Sequence, residues 1–399
     1  APQTESAARP STSSFIPFSA PWIGDEEVAE LVGAVRSGWL TAGPLTRRFE
    51  QAFREYVGAG CAVAASSCTA ALHLALRALD VGEGDAVLTS PFTFAATANV
   101  AVHCGAEVVF ADISPHTYNL DPGAVEDALA RHRGRPVLAV IAVHYAGQSC
   151  DMDRLDEVAR RHGLIVVEDA AHAAGTRYRG RSAGTLGRAG CFSFYPTKNM
   201  TTGEGGMLTT DDEALAHRAR RLSQHGISRD SFERYSEQGA WRYDVVEAGF
   251  KYNLTDLAAA LGLHQLRRLD GFVARRRELA ARYTRAFAGR PDLALPLETE
   301  EGFHSRHLYP VEIASERVGR DRFIEELKRR GIGASVHFLP LHLTGYYRAR
   351  FGFRAGQFPV AERVFERIVS LPLYPALTDD QADRVIEAVC GILDGRESW

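Results

Sequence analysis

Apolar positions fall into two rhythms along the chain. Short unbroken runs recur at 62–65, 86–89, 107–110, 137–143, 164–167, 191–195 and 206–209. Runs of this length without a polar face predict strands buried in the middle of a sheet. Between them lie longer stretches at helical spacing, at 45–56, 70–79, 152–162 and 211–224. In 152–162 the residues Leu155, Val158, Ala159 and His162 share one face, and 70–79 is apolar nearly all round. Residues 137–167 therefore read as strand, helix, strand, a unit that implies a parallel pair joined by a right-handed crossover. Near the start, Val28, Leu31, Val32 and Val35 recur at helical spacing behind Asp25, a candidate helix cap. Gly226 is expected just past the end of the helix at 211–224.

The last third changes character. Segments 307–313 and 334–338 predict strands around a helix at 320–331, and further helices are expected near 360–368 and 379–393. The pattern is α/β, a mostly parallel sheet flanked by helices, followed by a smaller α+β unit. The division expected is a tail at 1–14, a large domain at 15–270 and a small C-terminal domain at 271–399. Residues 271–287, GFVARRRELAARYTRAF, predict an arginine-studded helix with a solvated face. Residues 227–247 have little periodicity and predict a long loop.

Composition narrows the picture only slightly. Of 399 residues, 45% are hydrophobic and 24% charged, as in ordinary globular proteins, and the net charge of -4 argues against general nucleic-acid binding. No run approaches the length of a membrane span. The tail is rich in Ser, Thr, Pro and Ala without an apolar segment, so disorder and a cytoplasmic location are expected. Six cysteines without a C-x-x-C pair predict free thiols, with no disulfides and no metal site.

The chemistry concentrates between 164 and 207. Glu168, Asp169 and His172 follow one predicted strand; Ser193 and Lys198 follow another; a glycine-rich turn closes the stretch. Acids at the carboxyl end of a strand lie where open α/β sheets bind ligands. A lysine in a dry site can be neutral and form a Schiff base, and an ionised Asp can pair with the protonated ring nitrogen of pyridoxal 5'-phosphate (PLP). Upstream, Ser66, Ser67, Cys68 and Thr69 join a strand to a helix N-terminus, the geometry of an anion site. Thr93 and Phe94 end the next strand, Asp112 the one after, and His144 with Tyr145 the one after that.

The segments EDAAHAAGT, FSFYPTKN and GEGGM resemble the DegT/StrS family of nucleotide-sugar aminotransferases, PLP enzymes of fold type I, and the likeness runs from about Phe15 to about Leu393. The resemblance implies that Lys198 carries PLP and serves as acid/base, that Asp169 partners the ring nitrogen, and that His172 contacts the ring oxygen. It implies that Phe94 stacks on the ring and that Cys68, Thr69 and Ser193 hold the phosphate. Cys68 stands where the family's phosphate turn has glycine, a change without cost if only its N–H is used. The resemblance also implies a homodimer with shared sites, in which Asn253 reaches the partner's cofactor phosphate. Trp39, Lys251 and His337 are implied to border the substrate, a nucleotide-linked keto-sugar, with an amino acid, glutamate, as donor. GFKYNLTD resembles the enzyme forming 4-amino-4-deoxy-L-arabinose, which favours C4 of a dTDP- or UDP-4-keto-6-deoxyhexose. A sugar dehydratase of this family would carry histidine in place of Lys198, and a non-enzymatic regulator would not need Lys198, Asp169 and Ser193 together. No G-x-G-x-x-G follows the first strand, which argues against a dinucleotide-dependent oxidoreductase.

Overall fold

The computed structural model describes residues 15–228, 242–295 and 297–396. The tail expected at 1–14 and most of the loop at 227–247 lie outside the described residues. The seven short apolar runs pair into one sheet. Its strands are Cys61–Ala65 (β1), Ala86–Thr89 (β2), Glu107–Phe110 (β3), Val137–Val143 (β4), Ile165–Asp169 (β5), Ala189–Ser193 (β8) and Gly206–Thr210 (β9). The short Arg177–Tyr178 (β6) and Arg181–Ser182 (β7) belong to a separate small sheet. The order in the large sheet is β1-β9-β8-β5-β4-β2-β3. All pairs from β8 to β3 are parallel, and β9 runs antiparallel to both its neighbours.

Helices cover both faces of this sheet. In chain order they are Asp25–Ser37 (α1), Pro44–Val57 (α2), Cys68–Ala78 (α3), Ala95–His103 (α4), Pro122–Arg131 (α5), Met152–His162 (α6) and Glu213–Ser223 (α7). Side chains alternate across the sheet with period two. Val63, Val87, Ile141 and Val167 pack with α3, α4 and α7. Leu88, Val140 and Val166 pack with α6 on the other face. Two-sided burial is why these strands read as unbroken apolar runs.

Asp256–Phe287 (α8) is one helix of 32 residues, so the boundary expected at 270/271 falls inside it. Its second half joins a core made with Tyr309–Ile313 (β12), Arg320–Arg329 (α9), Ile368–Leu371 (β13) and Asp379–Leu393 (α12). Leu293–Ala294 (β10) pairs with β12, and Gly302–Phe303 (β11) with β6. Gly345–Phe351 (α10) and Pro359–Arg367 (α11) complete the element set. Ile16 is fully buried in the same core, its backbone bonded to Gly331 and Gly333 at 2.7 and 2.8 Å.

Several local expectations are corrected by long-range contacts. Asp25 does not cap α1; Gly24 holds that position, and its N–H donates to Glu27 Oε2 at 2.9 Å. The stripe Val28, Val32 and Val35 faces outward, because α1 is anchored instead by Glu27, which accepts from Gln265 at 2.8 Å and Arg268 at 2.9 Å on α8. Thr255 caps α8, while Asp256 reaches back to α2. Its carboxylate accepts from the N–H groups of Gly43, Leu45 and Thr46 at 2.8–3.1 Å and from the Thr46 hydroxyl at 2.7 Å. Asp112 likewise caps α11 through Val360 and Ala361. The arginine-studded helix is not solvated throughout: Arg276 is 1% exposed and donates to the carbonyls of His307 and Leu373. No strand forms at 334–338, where Ser335 makes only an isolated bridge to Ser370, and the residues after Arg367 are a strand rather than helix. All six cysteines are free.

Asp256 gives a stability prediction. Asp256→Ala removes four hydrogen bonds to a buried helix start and should lower apparent stability by roughly 2–4 kcal/mol, with Asp256→Asn losing less. Urea midpoints measure this, and an unchanged midpoint in Asp256→Ala would show that α2 does not depend on this carboxylate.

Candidate active site

The parallel strands end at a cavity of about 560 Å³ between the two cores. β5 delivers Asp169 to it. The strand's last two residues point to opposite faces, so Glu168 turns away while Asp169 faces the cavity. Glu168 is fully buried and accepts from the N–H groups of Gly184, Leu186 and Gly187 at 2.6–2.7 Å and from His144 Nε2 at 2.8 Å. His144 Nδ1 in turn accepts the N–H of Cys150 at 3.1 Å, so its proton lies on Nε2, toward Glu168. Glu168 is a structural anchor for the strand and for the loop before β8.

Asp169 Oδ2 accepts from the Thr97 hydroxyl at 2.7 Å and Oδ1 from the Ala171 N–H at 3.1 Å. Burial pushes its carboxyl up, and the hydrogen bonds from Thr97 and Ala171 together with the Lys198 charge pull it back down. Lys198 follows β8 on a turn in which its N–H donates to Tyr195 at 2.9 Å. Burial lowers the Lys198 ammonium to about 8, partly offset by Cys68 and Asp169. Ser193, the last residue of β8, lines the same cavity.

The turn after β1 forms the far wall. Ser67 caps α3, its Oγ taking the N–H of Ala70 and its carbonyl that of Ala71, each at 3.0 Å. The N–H groups of Cys68 and Thr69 precede the first intrahelical bond and have no acceptor of their own in the helix. Gly206 presses against this turn so closely that a Cβ there would lie 2.4 Å from the Ser67 carbonyl carbon. The Cys68 side chain is buried, its thiol donating to the Cys191 carbonyl at 3.4 Å and lying 3.9 Å from Asp169 Oδ1. The residue therefore touches the site through its side chain as well as its backbone. Phe94, at the start of α4, leaves an open ring face on the cavity and is 63% exposed.

Three imidazoles complete the wall. His172 Nδ1 accepts the N–H of Ala146 at 3.3 Å, which leaves Nε2 as the protonated nitrogen. Its ring lies 4.4 Å from that of His307 and stacks on Phe338 at 5.8 Å. His337 is held by the Ser370 hydroxyl at 2.9 Å. Burial, reinforced by other cations, holds His172 and His307 well below the usual imidazole range and His337 at about 4. His307 and Thr97 had no place in the sequence reading: His307 lay inside a predicted strand and Thr97 in a segment without clear periodicity.

The remaining candidates lie elsewhere in the chain. Trp39 donates its indole N–H to the Ala42 carbonyl at 3.0 Å and lines a groove between α1, α2 and α8. Asn253 bridges to Ala65 and lines a neighbouring cavity with Ser66 and Thr202, separated from the Lys198 cavity by Glu204, which borders both. Lys251 donates to the Asn253 side chain. A single chain thus unites Lys198, Asp169, His172, Ser193, Cys68, Thr69, Phe94 and His337, but not Trp39, Lys251 or Asn253.

Residues 21–390 match the DegT/DnrJ/EryC1/StrS aminotransferase family. The chain belongs to this family. It is 50% identical over 386 residues to the spore coat polysaccharide biosynthesis protein SpsC of Bacillus subtilis, covering 96% of this chain and 98% of that protein. The fold superposes on the putative sugar aminotransferase Spr1654 of Streptococcus pneumoniae with a TM-score of 0.88 at 34% identity, covering 96% of this chain and all of that one. It superposes on the aminotransferase PseC of Helicobacter pylori, involved in pseudoaminic acid biosynthesis, with a TM-score of 0.87 at 28% identity and the same coverage. The protein is a PLP-dependent aminotransferase of the sugar aminotransferase family, with the type I fold. The residues present fit that cofactor: a half-buried lysine of lowered pKa, a buried carboxylate, an open aromatic face, and unpaired N–H groups beside a serine.

The lowered pKa of Lys198 has a kinetic consequence. Roughly a tenth of a lysine with a pKa of about 8 is neutral at pH 7, against well under a thousandth for an ordinary one. The rate at which the apoprotein takes PLP into a borohydride-stable linkage should rise nearly tenfold from pH 6 to 7 and level off above pH 8. Lys198→Ala should abolish the linkage. Trapping on another lysine, or a rate still climbing steeply at pH 9.5, would contradict this assignment.

Proposed function

We propose that the enzyme transfers an amino group from an amino acid, glutamate, to the keto carbon of a nucleotide-linked sugar, C4 of a dTDP- or UDP-4-keto-6-deoxyhexose. The observation that carries the chemistry is Lys198, half-buried and easily deprotonated, in one cavity with Asp169. PLP bound there supplies an electron sink for the carbon that exchanges its amino group. Lys198 Nζ would hold the cofactor and, as a free amine, would carry the proton at the reacting carbon. Asp169 faces the ring nitrogen as an anion. His172 offers Nε2–H to the ring oxygen, since Nδ1 is taken by Ala146. Ser193 and the N–H groups of Cys68 and Thr69 take the phosphate, and Phe94 covers the ring.

The sugar reading is supported by SpsC, whose name ties it to a coat polysaccharide, and the C4 preference by the likeness of GFKYNLTD. A dehydratase is disfavoured by the presence of Lys198 in the cavity. Six free thiols suit a reducing compartment such as the cytoplasm.

The working unit in this reading is a homodimer with shared sites. Among the described residues lining the cavity, Lys198 is the one Lys or Arg, and it is committed to the cofactor. The carboxylates of glutamate and the diphosphate of a sugar nucleotide need further cations, which Lys251 of a second copy would help to supply. Asn253 of that copy would reach the cofactor phosphate and Trp39 would border the sugar. The outward apolar stripe of α1, with Trp22, Ile23 and Leu40 also exposed, is suited to burial against a second copy.

Two experiments test these points. Purified enzyme incubated with glutamate and a panel of 3-keto and 4-keto nucleotide sugars should aminate a 4-keto-6-deoxy member; turnover confined to 3-keto sugars would overturn the C4 assignment. Lys198→Ala and Asn253→Ala, each inactive alone, should regain activity when co-assembled, because one site of the mixed dimer has both residues intact. A fully active monomer, or no recovery in verified mixed dimers, would overturn the shared site.

A further inference from the structure

The Asp169 carboxylate has to stay ionised in a place where burial favours its protonated form. Several groups face it. Lys198 approaches from the turn after β8, Cys68 from α3 and Cys191 from β8, while His144 lies at the end of β4. Both thiols are raised well above their usual range by burial and by Asp169 itself, so they stay neutral. His144 is committed to Glu168, whose side chain points to the opposite face. Lys198 would be taken up by the cofactor in this reading, so it is not a free ammonium partner for Asp169. The permanent contacts are the Ala171 N–H and the Thr97 hydroxyl.

Thr97 is fully buried, and its Oγ1 lies 2.7 Å from Asp169 Oδ2 and 2.7 Å from Thr93 Oγ1. An ionised carboxylate only accepts, so the Thr97 hydrogen must point at Asp169. Its oxygen is then the acceptor for Thr93, and the direction of the chain is set: Thr93 donates to Thr97, which donates to Asp169. Thr93 lies two residues before α4 and Thr97 in its first turn, and the turn at Phe94 brings their hydroxyls within 2.7 Å. This leaves one orientation for each hydroxyl, and it favours the ionised acid.

We propose that Thr97, oriented by Thr93, is a positioning residue that keeps the Asp169 carboxylate facing the cofactor ring nitrogen as an anion. The proposal rests on the reading of Asp169 as the partner of that nitrogen. Neither threonine needs to touch the cofactor or the substrate.

The test uses holoenzyme loaded with PLP labelled with ¹⁵N in the ring. The ring ¹⁵N shift and the pH profile of kcat are measured for wild type, Thr97→Val, Thr97→Ser, Thr93→Val and Asp169→Asn. Thr97→Val keeps the shape but loses the donor. Its ring ¹⁵N signal should move toward the unprotonated position, and the acid limb of kcat should shift up by about one pH unit, the size of one hydrogen bond to a charged group. Thr97→Ser should behave as wild type, and Thr93→Val should shift in the same direction by less. A purely structural role would lower thermal stability in Thr97→Val and leave both signals in place, which would overturn the proposal. If Thr97→Val does not fold, an unshifted Thr93→Val overturns it equally. Asp169→Asn separates the two readings. If it keeps a protonated ring nitrogen and normal kcat, the role of Asp169 itself is wrong. If it loses both while the threonine variants lose neither, only the relay is wrong.

Discussion

Glu168 and Asp169 close β5 with their carboxylates on opposite faces of the sheet, and the site depends on that separation. Four hydrogen bonds from His144 and the 184–187 loop hold Glu168 and satisfy it as a buried anion. That anchoring fixes the strand end, and the strand end fixes where Asp169 enters the cavity. A one-residue slip in β5 would exchange the two acids. The pairing of β5 with β4 and β8, down to Val143 opposite Asp169 and Cys191 opposite the same residue, excludes such a slip.

Burial acts on Asp169, Lys198 and the three imidazoles of the cavity, in the direction set by the charge of each. It lowers Lys198 and the three imidazoles and raises Asp169. The result is a wall of neutral rings beside the amine of Lys198 and the carboxylate of Asp169. Neutral His172 can donate to an oxygen without adding a second cation beside Lys198, which would otherwise compete for Asp169. The same dryness explains why Asp169 needs donors around it, and why a threonine hydroxyl at 2.7 Å matters there when it would count for little at the surface.

Much of the architecture was legible as pattern. The seven buried runs became the seven strands of the sheet within two residues at each end, and the α6 segment was placed to the residue. Lys198, Asp169, His172, Ser193 and the Cys68–Thr69 turn were legible as motifs and are brought to one cavity. What failed were readings that took the nearest partner in sequence. Asp25 has a cap's composition, yet Asp256 and Asp112 show that carboxylates here serve helices about 210 and 248 positions away. The apolar stripe of α1 has helical spacing yet faces outward, while the buried anchor is the charged Glu27, and nothing local separates the buried Arg276 from its half-buried neighbours Arg275 and Arg277.

Alternation, apolar run length and the order of chemical residues are local properties, so they survive in the chain without its fold: they determined the α/β class, the strand ends that carry the acids and the lysine that follows β8 into the cavity. Contacts between segments far apart are set by packing, and no local period records them. That is why tertiary structure alone decided that Asp169 ends a hydrogen-bonded pair of hydroxyls, that His307 and Thr97 belong to the site, and that Trp39, Lys251 and Asn253 stand outside the cavity of their own chain. The tautomers of His144 and His172 were decided the same way, by backbone N–H groups that only the folded turn at 144–150 brings within reach.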